Sequence, residues 1–171
     1  MLTNAQLTSL KNDITADPVL NAFPKNSDGA VAVADLYALN AVPDFWVWRT
    51  NVSKEELTNN TSTDGTTFSW TGAGFITRSQ GERDAWRELF NIKGTVNAAL
   101  LQVRNAFNDI FSGGTNPAPA NRTHLLAMSR RLANRAEKLF STGTGSTASP
   151  ATMSVEGKLS YQEVLTAMEL P

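Results

Sequence analysis

Three Ser-x-x-Glu capping boxes punctuate this chain, at Ser53/Glu56, Ser79/Glu82 and Ser160/Glu163. In such a box the serine hydroxyl accepts from the backbone N–H three residues on. The glutamate reaches back to the serine N–H, so the pair fixes where a helix begins. Asp17-Pro18, Pro43, Gly94 and Gly113-Gly114 supply the stops, because proline restricts the residue before it and glycine ends helices. Starts and stops this close together leave room for short helices and little else.

The apolar spacing fills them in. Thr3 caps a helix with the stripe Leu7, Leu10 and Ile14, and a second runs from about Gly29 to Leu39 with Val33, Leu36 and Tyr37 turned inward. The box at Ser53 opens a short helix. The box at Ser79 opens one that carries Ala85, Trp86, Leu89 and Phe90. Thr95 caps another, with Val96, Leu100, Val103, Phe107, Ile110 and Phe111 on one side. Asn116-Pro-Ala-Pro-Ala is a stiff turn into a basic helix from Arg122, with the stripe Leu125, Met128, Leu132, Ala136 and Leu139. The box at Ser160 opens a last helix with Val164, Leu165 and Met168. Residues 44–52 are aromatic and β-branched and read as extended, with Trp46 and Trp48 on one face. Residues 58–75 read as a long polar loop or weak hairpin. The expected fold is mainly α: a small helical bundle with extended polar loops, one or two short strands and a C-terminal arm. The expected division is a helical core over 1–140 and, over 141–171, a flexible Gly/Ser/Thr bridge followed by a docking arm.

Composition excludes several chemistries. No cysteine is present, so disulfides, thiol catalysis and cysteine-ligated zinc are out. Net charge is −1, which argues against non-specific nucleic-acid binding by the whole chain. No stretch approaches the ~18 apolar residues of a membrane span, so a soluble protein made in the cytoplasm is expected. His124 is the lone histidine, and beside Arg122 near a helix start it reads as a solvated or capping side chain rather than a catalyst. Gly72-Ala-Gly74 and Gly143-Thr-Gly145 lack the strand–loop–helix setting of a phosphate loop. No catalytic residue, cofactor or metal site is expected.

Charge is unevenly spread. Between Arg122 and Lys138 there are five cations, Arg122, Arg130, Arg131, Arg135 and Lys138, against Glu137 alone, whereas residues 1–60 hold seven acids and four bases. Such asymmetry suits head-to-tail contact between subunits, contact with DNA phosphates, or a solvated helix face. Trp46 and Trp48, flanked by Phe45 and Val47, make both faces of their segment apolar, as in a buried strand or a docked one.

Three blocks carry a resemblance: "LKNDITADPVL" leading to "NSDGA" within Leu7–Ala30, "PDFWVWRTNV" over Pro43–Val52, and Ala133–Pro171, which includes "AEKLFSTGTGSTASPATMSVEGKLSYQEV". "NAFNDIFSGG" at 105–114 adds a fourth element. Together they resemble small virion proteins of tailed bacteriophages, encoded among head and connector genes and similar to head–tail connector or adaptor (head-completion) proteins. Residues 58–95 depart from that pattern. The resemblance implies a non-enzymatic ring subunit, commonly twelve-fold, in the virion neck. Its implied partners are the portal protein, neighbouring neck or tail proteins, and packaged DNA in passive contact; no membrane is implied. The residues expected at subunit, portal or DNA-channel interfaces are Arg122, Arg130, Arg131, Arg135, Lys138, Trp46 and Trp48, with Met153, Val155, Leu159 and Tyr161 in the C-terminal arm. The alternative is another virion component, such as a collar, tail-terminator or capsid-decoration protein. A small phage hydrolase is a remote third, needing two carboxylates about 5–10 Å apart across a cleft.

Overall fold

Each helix start marked by a capping box is occupied as expected in the computed structural model, which describes residues 1–91, 93–115 and 117–171. In chain order the elements are α1 (Asn4–Ala16), α2 (Pro18–Asn21), α3 (Ser27–Ala38), β1 (Trp46–Trp48), β2 (Val52–Ser53), α4 (Lys54–Asn59), a π-helical turn (Gly72–Ile76) and α5 (Gln80–Glu88). There follow β3 (Thr95–Val96), α6 (Leu101–Ile110), α7 (Ala118–Met128), β4 (Arg130–Leu132), α8 (Arg135–Leu139), β5 (Ser141–Thr142), β6 (Thr152–Met153) and α9 (Tyr161–Glu169). About half of the residues are helical, so the fold is mainly α, with strands of two or three residues. Asn116 of the expected proline turn lies outside the described residues. No helix among the described residues is long and apolar enough to cross a membrane.

The chain divides at 47/48 and 131/132, not at 140/141. Residues 1–47 and 132–171 form one unit, and residues 48–131 form another. In the first unit α1 brings Leu10 and Ile14, α3 brings Ala30, Val33, Ala34 and Tyr37, and α9 brings Val164, Ala167 and Met168 to one core. These are the i, i+3, i+4 rows that let helices interdigitate. The C-terminal residues are therefore core, not a detached arm.

The Gly/Ser/Thr stretch is not a free bridge either. Strands β5 and β6 pair antiparallel, Ser141 opposite Met153 and Thr142 opposite Thr152. The loop between them is pinned: the Trp46 N–H donates to the Gly145 carbonyl at 2.7 Å, and the Ala151 N–H to the Trp46 carbonyl at 2.8 Å. Gly145 has φ +66°, and a Cβ there would lie 2.1 Å from the Phe45 ring, so position and backbone both demand glycine. Thr144 Oγ1 donates to the Ser149 carbonyl at 3.0 Å. The small polar residues serve a tight hairpin loop.

The expected basic helix is also interrupted. α7 stops at Met128, residues 130–132 are extended, and Asn134 caps a fresh helix through a further capping box with Glu137. Asn134 favours a cap over a helix interior because its side chain competes for backbone N–H groups. Upstream, Thr95 does not cap a helix. It pairs with Ser53, as Val96 does with Val52, and the helix begins at Leu101.

In the second unit, Trp86, Phe90, Phe107, Phe111 and Phe68 build an aromatic core. Phe68 stacks on Trp86 with ring centroids 5.8 Å apart, and Phe111 meets both edge-on. The polar loop is fastened to α7 by two buried side chains one turn apart. Asn121 accepts from the Ser69 N–H at 2.8 Å and donates to the Ser69 carbonyl at 3.1 Å. His124 is fully buried, contrary to the expectation of a solvated ring. Its Nε2–H donates to the Leu57 carbonyl at 2.8 Å, which leaves Nδ1 to accept from Thr66 Oγ1 at 3.1 Å.

Glu137 is 1 % exposed. Its carboxylate accepts from the Gly157 N–H at 2.8 Å and the Asn134 N–H at 3.0 Å, tying α8 to the segment that leads into α9. Glu137→Ala strands those donors and lowers the unfolding free energy by about 2 kcal/mol. Glu137→Gln, which retains one acceptor, loses about half as much. Urea denaturation of the three proteins checks this; equal midpoints would show that the carboxylate does not hold the segment.

Candidate functional site

The first unit carries an open groove of about 710 Å³ lined by Asp13 and Asp17, by the Leu39–Val42 segment, and by Arg135, Lys138 and Leu139 of α8. Local folding puts them there. α3 ends at Ala38, and the chain then runs extended, with the Ala41 N–H donating to the Ala133 carbonyl at 3.0 Å and the Arg135 N–H to the Leu39 carbonyl at 2.9 Å. That pairing faces α8 toward the end of α1.

Arg135 is the hub of the groove floor. Its guanidinium is 2.8 Å from Asp17 and 3.4 Å from Asp13, and it lies over the Tyr37 ring, 4.9 Å from the centroid. The Tyr37 hydroxyl donates to Asp13 Oδ2. Asp17 also caps α2, accepting from Val19 and Leu20. The Arg135 hydrogen bond first, and these backbone donors next, hold its carboxyl below the usual range. Burial first, and the bond to Asp13 next, push the Tyr37 hydroxyl well above its ordinary value. Lys138 donates to the Val42 carbonyl at 3.3 Å and lies 5.8 Å from the Phe45 ring centroid.

The rim is apolar and open. Leu39 is 59 % exposed and Val42 is 88 % exposed. Asp13, Asp17 and Arg135 inside the groove are thus occupied by one another, while the edge offers aliphatic surface. That arrangement suits docking of a folded surface more than turnover of a small molecule. Among the described residues no group of three or more His, Asp or Glu is placed to hold a metal ion.

The structure distributes the remaining residues singled out in the sequence. Arg122 donates to the carbonyls of Phe111 and Gly113, closing the C-terminal end of α6. Arg130 pairs with Asp64 at 2.5 Å, and Arg131 is half-buried in β4. Arg130 and Arg135 thus hold intramolecular ion pairs, and reversing either to Glu would set it against Asp64 or the Asp13–Asp17 pair. Trp46 is half-buried in β1, and Trp48 is half-buried under the Arg104 guanidinium, 4.6 Å from the ring centroid. Met153 packs with Val47, Ala133 and Ala151. Val155 and Leu159 belong to the core of the first unit, and Tyr161 is exposed at the start of α9. Sequence reasoning brought Arg135 and Lys138 to notice but missed Asp13, Asp17, Leu39 and Val42. The available signal was the Leu39-Asn-Ala-Val-Pro43 run, which places aliphatic residues where a helix has ended and little can cover them.

The Tyr37 shift has a measurable consequence. A hydroxyl whose folded-state pKa is raised contributes stability that is fully present below the unfolded value of about 10 and is lost as pH rises beyond it. Thermal melts between pH 8 and 11.5 are expected to show a steeper alkaline loss in the native chain than in Tyr37→Phe. Parallel profiles would show that Tyr37 is not buried against Asp13.

Comparison of the chain with protein-family models, with curated proteins and with solved structures finds no match in any of the three.

Proposed function

We propose that this chain is a structural subunit of a tailed-bacteriophage head–tail connector, an adaptor that assembles as a ring on the portal and helps join tail to DNA-filled head. The observation that carries the reading is where the resembling blocks lie. Leu7–Ala30, Ala133–Pro171 and the start of Pro43–Val52 belong to the first unit, while the rest of Pro43–Val52 and the shorter 105–114 element belong to the second. The unfamiliar stretch 58–95 falls wholly in the second. In this reading the first unit holds most of what the connector proteins share, and its groove with the exposed Leu39 and Val42 rim is the docking face. Exposed aliphatic side chains grouped beside a groove are a mark of a protein–protein contact. The reading gives the chain no catalytic step, and its place is the virion neck.

The test is co-assembly. Mixed with the portal protein of the same phage, the purified chain is expected to shift into a ring-sized complex in light scattering. A chain that leaves portal unchanged but decorates capsids or tail tubes would move the assignment to a decoration, collar or tail-terminator protein. A chain that binds none of these would overturn the virion reading.

A further inference from the structure

Arg49, Arg78, Arg87, Arg130 and Arg135 each pair with a carboxylate. Arg104, on the first turn of α6, is held as firmly by other means. Its Cζ lies over the Trp48 ring, 4.6 Å from the centroid. Its Nη1 donates to the Ala98 and Ala99 carbonyls at 2.5 and 2.9 Å. Those carbonyls sit in a turn that is itself fixed. The Ala98 N–H donates to the Arg49 carbonyl at 2.9 Å, and the Ala99 N–H to Asn97 Oδ1 at 2.9 Å. Ring, turn and guanidinium all belong to the second unit.

This anchoring leaves one side of the guanidinium over. The Nη1 hydrogens are spent on the two carbonyls. Nε–H and one Nη2–H point the same way, and on that edge an arginine grips an oxyanion with two parallel bonds. Among the described residues Arg104 has no acceptor at Nε or Nη2 and no carboxylate within ion-pair distance. Neither nitrogen is among the buried atoms that lack a partner, so the edge is open to solvent. Burial lowers the pKa of Arg104, as it does for a cation taken partly out of water without a counter-ion. Two aliphatic side chains flank the arginine. Leu100, the N-cap residue of α6, and Leu101, three residues before Arg104, are 44 % and 60 % exposed.

We infer that the free edge of Arg104, with Leu100 and Leu101 beside it, binds an acidic segment of another protein in which one Asp or Glu is flanked by aliphatic residues. The carboxylate takes the two free N–H groups, and its aliphatic neighbours cover the leucines. A guanidinium already stacked on tryptophan and tied to two carbonyls has little rotamer freedom left to lose on binding, which favours the complex. Nucleic acid fits less well. A phosphate backbone is held by several unpaired cations, whereas Arg49, the residue after Trp48, is taken by Glu56 at 2.5 Å. Exposed leucines also offer nothing to a sugar–phosphate chain. The surface is carried by the second unit alone and is additional to the groove of the first.

The test follows the Arg104 Nε–H cross-peak of the isotope-labelled full chain by NMR, with the peptide acetyl-Leu-Glu-Leu-amide as probe. The peak is identified by its absence from Arg104→Lys. It is expected to move saturably. Acetyl-Leu-Gln-Leu-amide should bind about tenfold more weakly, since the charge-assisted pair is lost. Acetyl-Gly-Glu-Gly-amide on the native chain, and the first peptide on Leu101→Ser, should each lose about threefold or more. Arg104→Lys keeps the charge without the two-pronged edge and should lose about tenfold, read from backbone amides of α6. Leu101 is exposed, so Leu101→Ser keeps the test decisive should Arg104→Lys fail to fold. A peak that ignores the peptide, equal affinity for the Glu and Gln peptides, or tighter binding of inorganic phosphate or oligothymidylate would overturn the inference. So would a peak that moves with protein concentration alone, which would give the edge to a second copy of the chain.

Discussion

The first unit exists because α9 packs against α1 and α3. Val164, Ala167 and Met168 meet Leu10, Ile14, Val33 and Tyr37 in one core, so two ends of the chain must come together before either is stable. Between them the chain makes an excursion of residues 48–131. Loop-closure entropy grows only logarithmically with length, so a long, separately cored insertion costs little more than a short one. A second hydrophobic core inside the excursion lowers the cost further, since much of it is ordered on its own account. Long-range closure of this kind makes the polar fasteners important. Glu137 accepts from Gly157, and Arg135 ties α8 to α1 through Asp13 and to the α2 cap through Asp17.

Arginine does two different jobs here. Arg135 lies in a cluster of two carboxylates and an aromatic ring, where its planar fork fits several partners at once. Arg83, Arg104 and Arg122 meet carbonyl oxygens instead. The geometry is comparable, but the electrostatic result is opposite: the first neutralises, the others leave charge on the unit. The basic run noticed in the sequence is split between the units, with Arg122, Arg130 and Arg131 in the second and Arg135 and Lys138 in the first.

The same division frames the functional proposal. A connector subunit needs one surface for what it sits on and others for its neighbours. The first unit has a groove in which Arg135 pairs with Asp13 and Asp17 beneath the exposed Leu39 and Val42. The second unit has an independent aromatic core and a loop held by Asn121 and His124. A polar pair buried at that position fixes the loop's path where apolar side chains could not, because the loop's backbone N–H and C=O groups require partners once water is gone.

The sequence by itself determined where helices start. Thr3, Ser53, Ser79 and Ser160 each cap as their spacing requires, because capping is a local hydrogen-bond arrangement within four residues. It also determined the inward faces of α1, α3 and α9, since helical periodicity needs no distant partner. Tertiary structure decided the rest. Nothing local says that the run from Arg122 to Leu139 breaks at Ser129, because the break is stabilised by strands and caps contributed from elsewhere, such as Ala41 on Ala133 and Gly157 on Glu137. Nothing local makes Ser141–Pro150 a pinned loop, because the pin is Phe45-Trp46, about a hundred residues earlier. His124 read as solvated because its partners, Leu57 and Thr66, are remote in sequence. The groove was invisible for the same reason: Asp13, Tyr37 and Arg135 are ordinary residues in three separate helices, and only closure of the chain ends makes them a site.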